Sequence, residues 1–242
     1  CAEYVDYVLR KEEDVAAGIV ETVRCPHGQI PPPADYRALR AACDRHGALL
    51  ILDEVPIGLG RTGTMFAFER YGIVPDMVVL GKGLGGAVFP MAALIARRDL
   101  DVAGDRALGH YTHEKSPVGC AAALATLDVI EDERLLDRAR TLGARALDRM
   151  RAIAGRHPLV GDVRGAGLLL GLELVRPDGS PARTEAERGL WSISACDAFS
   201  APRVTDSNSG PCPGSSTGRP AGVREAVRAV SSRLTILSSS EW

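Results

Sequence analysis

Residues 48–54 read Ala48-Leu49-Leu50-Ile51-Leu52-Asp53-Glu54. A short apolar run of this kind fits a buried strand, and two carboxylates follow it without a spacer. Residues 77–83, Met77-Val78-Val79-Leu80-Gly81-Lys82-Gly83, repeat the plan with a lysine in place of the acids. Upstream, residues 3–13 mix Tyr4, Val5, Tyr7, Val8 and Leu9 with charges and predict a helix. Residues 15–20 predict a strand buried on both faces. Residues 24–33 form a loop, since Pro31, Pro32 and Pro33 cannot sit in a helix interior. Asp35 is the expected cap of a helix that carries Tyr36, Leu39, Ala42 and Cys43 on one face and stops at Gly47. Downstream, residues 91–96 predict a fourth strand. Two helices follow, over about 117–131 and 133–156. The second places Leu135, Ala139, Leu142, Ala146, Met150 and Ile153 on one stripe. Residues 159–175, with Gly161, Gly165, Gly167 and Gly171, predict a pair of strands. Strands alternating with helices indicate an α/β domain with a mainly parallel sheet.

The 242 residues are 45% hydrophobic and 25% charged, with a net charge of −2. That composition supports a folded core and argues against disorder or a disulfide miniprotein. It gives no basic surplus for nucleic acid or a membrane surface. The six cysteines form no C-x-x-C pair, which fits thiols in a reducing cytoplasm and no metal site. The first residue is Cys1 and no signal peptide follows, so the expectation is an interior piece of a longer chain. Beyond about residue 190 the text changes. Of the 21 residues from 200 to 220, 12 are Ser, Gly or Pro. The expectation there is a reading-frame disruption, with a helix returning only at 223–234.

In open parallel sheets, ligands bind outside the carboxyl ends of the strands. Asp53 and Lys82 both lie at such ends. A lysine among glycines is a candidate Schiff-base nucleophile, because desolvation frees its amine. A carboxylate in that place is a fitting partner for a protonated pyridine nitrogen. The lysine carries added weight because Lys11, Lys82 and Lys115 are the only three among 29 basic residues. The bland readings are a helix-capping aspartate and a solvated lysine. Arg61 and Arg164 are read as surface or strand-capping residues before anion binders. Gly58-Leu59-Gly60-Arg61-Thr62-Gly63 formally matches the dinucleotide fingerprint G-x-G-x-x-G, a weak signal alone. The acidic strand end would also suit a P-loop ATPase, but no G-x-x-x-x-G-K-[ST] occurs in the chain.

Residues 48–68 as a whole closely resemble the signature of the class III aminotransferases, pyridoxal-phosphate (PLP) enzymes of fold type I. The resemblance continues through Val74-Pro75-Asp76 and Leu80-Gly81-Lys82-Gly83-Leu84-Gly85-Gly86. It is helped by residues 121–130 and 161–168, and spans roughly residues 10–175. It implies a remnant of the three-layer PLP-transferase large domain with a mainly parallel sheet, followed by a smaller α+β C-terminal domain. The implied divisions are 1–130, 131–190 and an atypical tail at 191–242.

Carried over by position, the resemblance implies that Lys82 forms the Schiff base with PLP and shuttles the substrate proton. Asp53 holds the pyridine nitrogen protonated. Val55 packs on the ring face. Thr112 reaches the phosphate of the partner subunit's cofactor in a homodimer, and Glu21 lies near the substrate. The implied reaction transfers an amino group from an amino acid or amine to a 2-oxo acid. One departure from the family pattern is Pro56, where the family commonly has a glutamine that contacts the ring hydroxyl. Pro56 points to the racemases of the same family as the alternative. The family's N-terminal phosphate loop has no counterpart here, and neither Arg203 nor Arg219 has the context of its carboxylate-binding arginine. A chain that keeps the lysine site but does no catalysis is the third reading.

Overall fold

The computed structural model describes residues 2–25, 28–106 and 116–182. Four strands form one sheet: β1 (Ala17–Glu21), β2 (Leu49–Asp53), β3 (Met77–Leu80) and β4 (Ala93–Ala96), adjacent in that order. The first three are parallel and β4 runs antiparallel to β3. Helix α1 (Ala2–Glu12) and helix α2 (Pro33–His46) pack together over the β1–β2 side. Their core holds Leu9, Tyr36, Ala42, Cys43, Leu50, Leu52 and Tyr71, all buried. Burying a leucine of this kind contributes about 2 kcal/mol, so Leu50 and Leu52 anchor β2 at the centre. Helix α3 (Pro117–Asp132) lies against the turn after β3, where Val78, Leu80, Leu84, Met91, Ala93 and Ala123 form a second cluster.

Helix α4 (Leu135–Ala154) packs on a hairpin of β5 (Val160–Ala166) and β6 (Leu169–Leu174). The hairpin meets the Gly-rich turn after β2. Leu168 N–H donates to the Arg61 carbonyl at 2.8 Å, and the Arg140 guanidinium donates to the Gly63 carbonyl at 2.5 Å. Two glycines permit this approach. A Cβ on Gly143 would lie 2.0 Å from the Gly167 carbonyl oxygen, and one on Gly167 would lie 2.5 Å from the Thr62 carbonyl carbon.

Three sequence expectations are corrected. β1 is not buried on both faces: Ile19 is 66% exposed, while Val20 packs into the α1–α2 core. β1 lies at the edge of the described sheet, and Ala17 and Ile19 on the same face are both exposed. Asp35 does not cap α2, because the helix begins at Pro33 behind Pro32 and no side chain caps it. Asp35 sits in the first turn, where it offsets the helix dipole. On α4 the expected stripe holds in part: Ala139 is buried and Leu135, Ala146 and Met150 are half-buried, but Leu142 and Ile153 are exposed and Gly143 is buried in their stead. The close backbone approach of Gly143 to Gly167 sets which side of α4 meets the hairpin. The expected helix at 223–234 and the altered tail lie outside the described residues.

Candidate active site at the carboxyl ends of the parallel strands

The parallel strands end together. Glu21 on β1 is the register partner of Asp53 on β2, and Asp53 is the partner of Val79 on β3. Backbone bonds continue the stitching one residue further. Thr22 N–H donates to the Asp53 carbonyl at 3.2 Å, and Glu54 N–H donates to the Val79 carbonyl at 2.9 Å. Glu21, Asp53 and the β3 end that leads to Lys82 therefore occupy one edge of the sheet.

Each side chain has a local cause for its place. Asp53 is half-buried, and its Oδ1 accepts the Val55 N–H at 2.9 Å, which turns the chain back at the strand end. Val55 packs against Gly81: a Cβ on Gly81 would lie 3.2 Å from Val55 Cγ1. The glycine thus lets the β3 end close on Val55. Lys82 follows at once, exposed, with φ +46°, and opens a 3-10 turn over Lys82–Gly85. A non-glycine residue in the left-handed region carries backbone strain of about 1 kcal/mol or more, a feature enriched at functional sites. Leu84 is buried in the second core cluster and pins the turn from below. Glu21 is half-buried, and its Oε2 accepts the Cys25 N–H at 3.2 Å. The Tyr36 hydroxyl donates to the Glu21 carbonyl at 2.6 Å, and the Tyr71 hydroxyl donates to the Thr22 carbonyl at 3.0 Å. These two rings stack at 4.2 Å between centroids.

Lys82, Asp53, Val55 and Glu21 are brought to the same edge; Thr112 lies outside the described residues. An amine, a carboxylate on the neighbouring strand end and a small apolar wall on a glycine form a donor set that fits PLP. Pro56 is half-buried beside Val55 and offers no side-chain donor.

The dinucleotide reading of Gly58–Gly63 lacks its helix. The fingerprint needs a helix N-terminus after the glycines. Here the turn leads through Phe66 into a 3-10 segment, Ala67–Tyr71. Arg164 pairs with Asp162 and with Glu173 across the hairpin, which accounts for it as a structural residue. Among the described residues no helix is long and apolar enough to cross a membrane.

Sequence reasoning passed over Glu54, which is 1% exposed. Its Oε2 accepts the Ala67 N–H at 2.7 Å and its Oε1 accepts the Phe68 N–H at 2.8 Å. Burial pushes its carboxyl above the usual carboxylate range, and the two N–H groups oppose that rise. A carboxylate after a buried strand was the available signal, since a charge at that depth must find partners. Tyr36 and Tyr71 were also missed as polar anchors, because apolar periodicity does not register a hydroxyl.

Comparison with known proteins places this geometry in context. The sequence matches the aminotransferase class-III family over residues 1–204. It is 43% identical over 192 residues to the (R)-1-hydroxy-2-aminoethylphosphonate ammonia-lyase of Vibrio splendidus, covering 78% of this chain and 40% of that protein. It is 38% identical over 198 residues to the leucine/methionine racemase of Thermococcus litoralis, covering 79% of this chain and 44% of that protein. Among solved structures, a Bacillus anthracis aminotransferase superposes with TM-score 0.73 at 35% identity, over 81% of this chain and 46% of that one. The ornithine aminotransferase of Toxoplasma gondii, described with partial occupancy of PLP at its active site, superposes with TM-score 0.68 at 33% identity, over 74% and 43%. The chain thus spans about two fifths of the length of the curated relatives it matches.

Proposed function

The chain belongs to the class III aminotransferase family, and on that footing we propose that it carries the lysine side of a PLP-dependent aminotransferase site. The observation that carries this reading is the shared register of Glu21, Asp53 and Val79, with Lys82 emerging just beyond on Gly81. Bound PLP supplies an electron sink and the carbon that receives the amino group.

The remaining work falls to the protein. Lys82 Nζ would hold the cofactor covalently and, once the substrate amine has taken its place, would serve as the base that moves the substrate Cα proton. Asp53 holds the proton on the ring nitrogen by fixed charge, which lowers the barrier to Cα deprotonation. Val55 packs against the ring face, and Glu21 stands toward the substrate. We assign Thr112 to the partner subunit's cofactor phosphate in a homodimer, on family resemblance. The described cysteines Cys25, Cys43 and Cys120 are free thiols, which favours a cytoplasmic setting. The substrates are an amino acid or amine and a 2-oxo acid.

Pro56 favours racemisation as a second reading, because it removes the side-chain donor near the ring hydroxyl and one relative is named a racemase. The experiment is to incubate the full chain with PLP, amino acids and 2-oxo acids in deuterium oxide. Keto product formed in step with amino-acid loss supports transamination. Deuterium at Cα without keto product transfers the assignment to a racemase. No exchange of any kind leaves the non-catalytic reading in place. In an active chain, Asp53→Asn slows the exchange about 10²- to 10³-fold.

A further inference from the structure

We propose that Glu54, unused in the chemistry above, is a positioning residue whose buried side chain bolts the Asp53–Val55 corner to the protein core and thereby fixes where Asp53 meets the cofactor ring. This rests on the PLP reading of the preceding subsection.

Asp53 is the last residue of β2 and Glu54 opens the turn after it, so a restraint on Glu54 fixes where the strand ends beneath Asp53 and where the turn carries Val55. Glu54 is restrained at every polar atom. Its N–H reaches the Val79 carbonyl at 2.9 Å, and its carbonyl accepts Ile57 N–H at 3.1 Å and Gly58 N–H at 2.8 Å. Its two carboxylate oxygens each take one backbone N–H, from Ala67 and Phe68. Gly58 is packed so tightly that a Cβ there would lie 3.1 Å from the Glu54 carbonyl oxygen. The far end of the bolt is rigid too. Phe68 packs against both large core clusters and stacks with Phe66 at 5.4 Å.

A carboxylate is the side chain that suits this place. It accepts on both oxygens, whereas a glutamine of the same length offers one acceptor and sets an NH₂ against the other N–H. Aspartate keeps the two acceptors but is one methylene short. Either change loosens the corner without touching Asp53, Val55 or Lys82.

The test titrates the full chain, Glu54→Gln and Glu54→Asp with PLP, traps the adduct with borohydride, and quantifies labelled Lys82 by peptide mass across pH. Thermal unfolding of each variant fixes a measuring temperature at which it is folded. The expected result is half-saturation about tenfold higher in both variants, a loss comparable to one charge-assisted hydrogen bond, with a displaced pH profile. A structural role alone would lower the melting temperature and move neither quantity. Folded variants that capture PLP at the wild-type concentration and pH dependence overturn the proposal.

A second measurement needs no variant. Coupling is reciprocal, so PLP bound to the wild-type chain should slow hydrogen exchange at the Ala67 and Phe68 amides several-fold. Unchanged exchange there, with Lys82 labelled, also overturns the proposal. A wild-type chain that captures no PLP is a different failure: it defeats the parent reading, and this one falls with it.

Discussion

Glu21 and Asp53 are register partners at the carboxyl ends of adjacent parallel strands, and the Tyr36 hydroxyl holds the Glu21 carbonyl at 2.6 Å from beneath. Two carboxylates thus stand side by side on a platform of buried phenols. The tyrosines are more than packing, because their hydroxyls satisfy consecutive carbonyls, Glu21 and Thr22, at the point where β1 stops.

That platform makes stability depend on alkaline pH. Burial is the larger cause that pushes both phenols up, Tyr71 to about 12 against the opposing charge of Arg70, and Tyr36 further still with neighbouring negative charge adding to the rise. A group whose folded value is raised keeps its full stabilisation below its unfolded value, about 10 for tyrosine. The stabilisation then declines as pH climbs from there through the folded value. The double variant Tyr36→Phe, Tyr71→Phe should lose about 1 kcal/mol per hydroxyl near neutral pH. It should also flatten the alkaline limb of a urea-unfolding series. An alkaline limb as steep as that of the wild type would count against the assignment.

Asp76 governs the acid side. It is 4% exposed and receives Leu50 N–H at 2.7 Å, Arg40 Nη1 at 2.7 Å and Arg97 Nη1 at 2.6 Å. Burial works to raise its carboxyl, but these donors outweigh burial and hold it below the ordinary value. A depressed group contributes fully above the unfolded value, about 3.9, and its contribution disappears as pH falls below that. Asp76→Ala should cost about 3 kcal/mol at pH 7, because Arg40 is left with little water and no buried partner. Denaturant melts at pH 7 and pH 3 check this, with the difference between variant and wild type shrinking at the lower pH.

Gly143→Ala tests the joint between α4 and the Gly-rich turn. The new methyl would meet the Gly167 backbone, which cannot yield as a flexible side chain can. The expected loss is about 3 kcal/mol, read as a lowered thermal midpoint. Gly47→Ala is the contrast. No atom lies within 4 Å of its Cβ position, so only the left-handed φ of +68° is penalised, by about 1 kcal/mol.

The sequence was most legible where a pattern had one physical outcome. The apolar runs at 49–52 and 77–80 have few alternatives to buried strands, and both became parallel neighbours ending in register. The places of Asp53 and Lys82 at the ends of those strands were legible for the same reason. The burial of β1 was misread because the apolar text of residues 15–20 records hydrophobicity and not which neighbours cover it. The α4 stripe was legible at Leu135, Ala139, Ala146 and Met150 but not at its margin, because Gly143 contributes no hydrophobic signal, yet backbone approach at that glycine turns the helix so that Leu142 and Ile153 are exposed. The partners of Glu54 and Asp76 were not legible for a related reason. They are backbone N–H groups and arginines that lie 13 to 36 residues away in sequence. No local window reports such partners.

The central claim is that Lys82 is the cofactor lysine, and trapping reads it directly. The chain offers only Lys11, Lys82 and Lys115 as side-chain amines, so one peptide map resolves every outcome. After incubation with PLP and reduction with borohydride, the account predicts a pyridoxyl mass on the Lys82 peptide, absent from Lys82→Ala and lost when borohydride is omitted. Labelling spread over Lys11 and Lys115 at the same PLP concentration, or no label at Lys82, would contradict it.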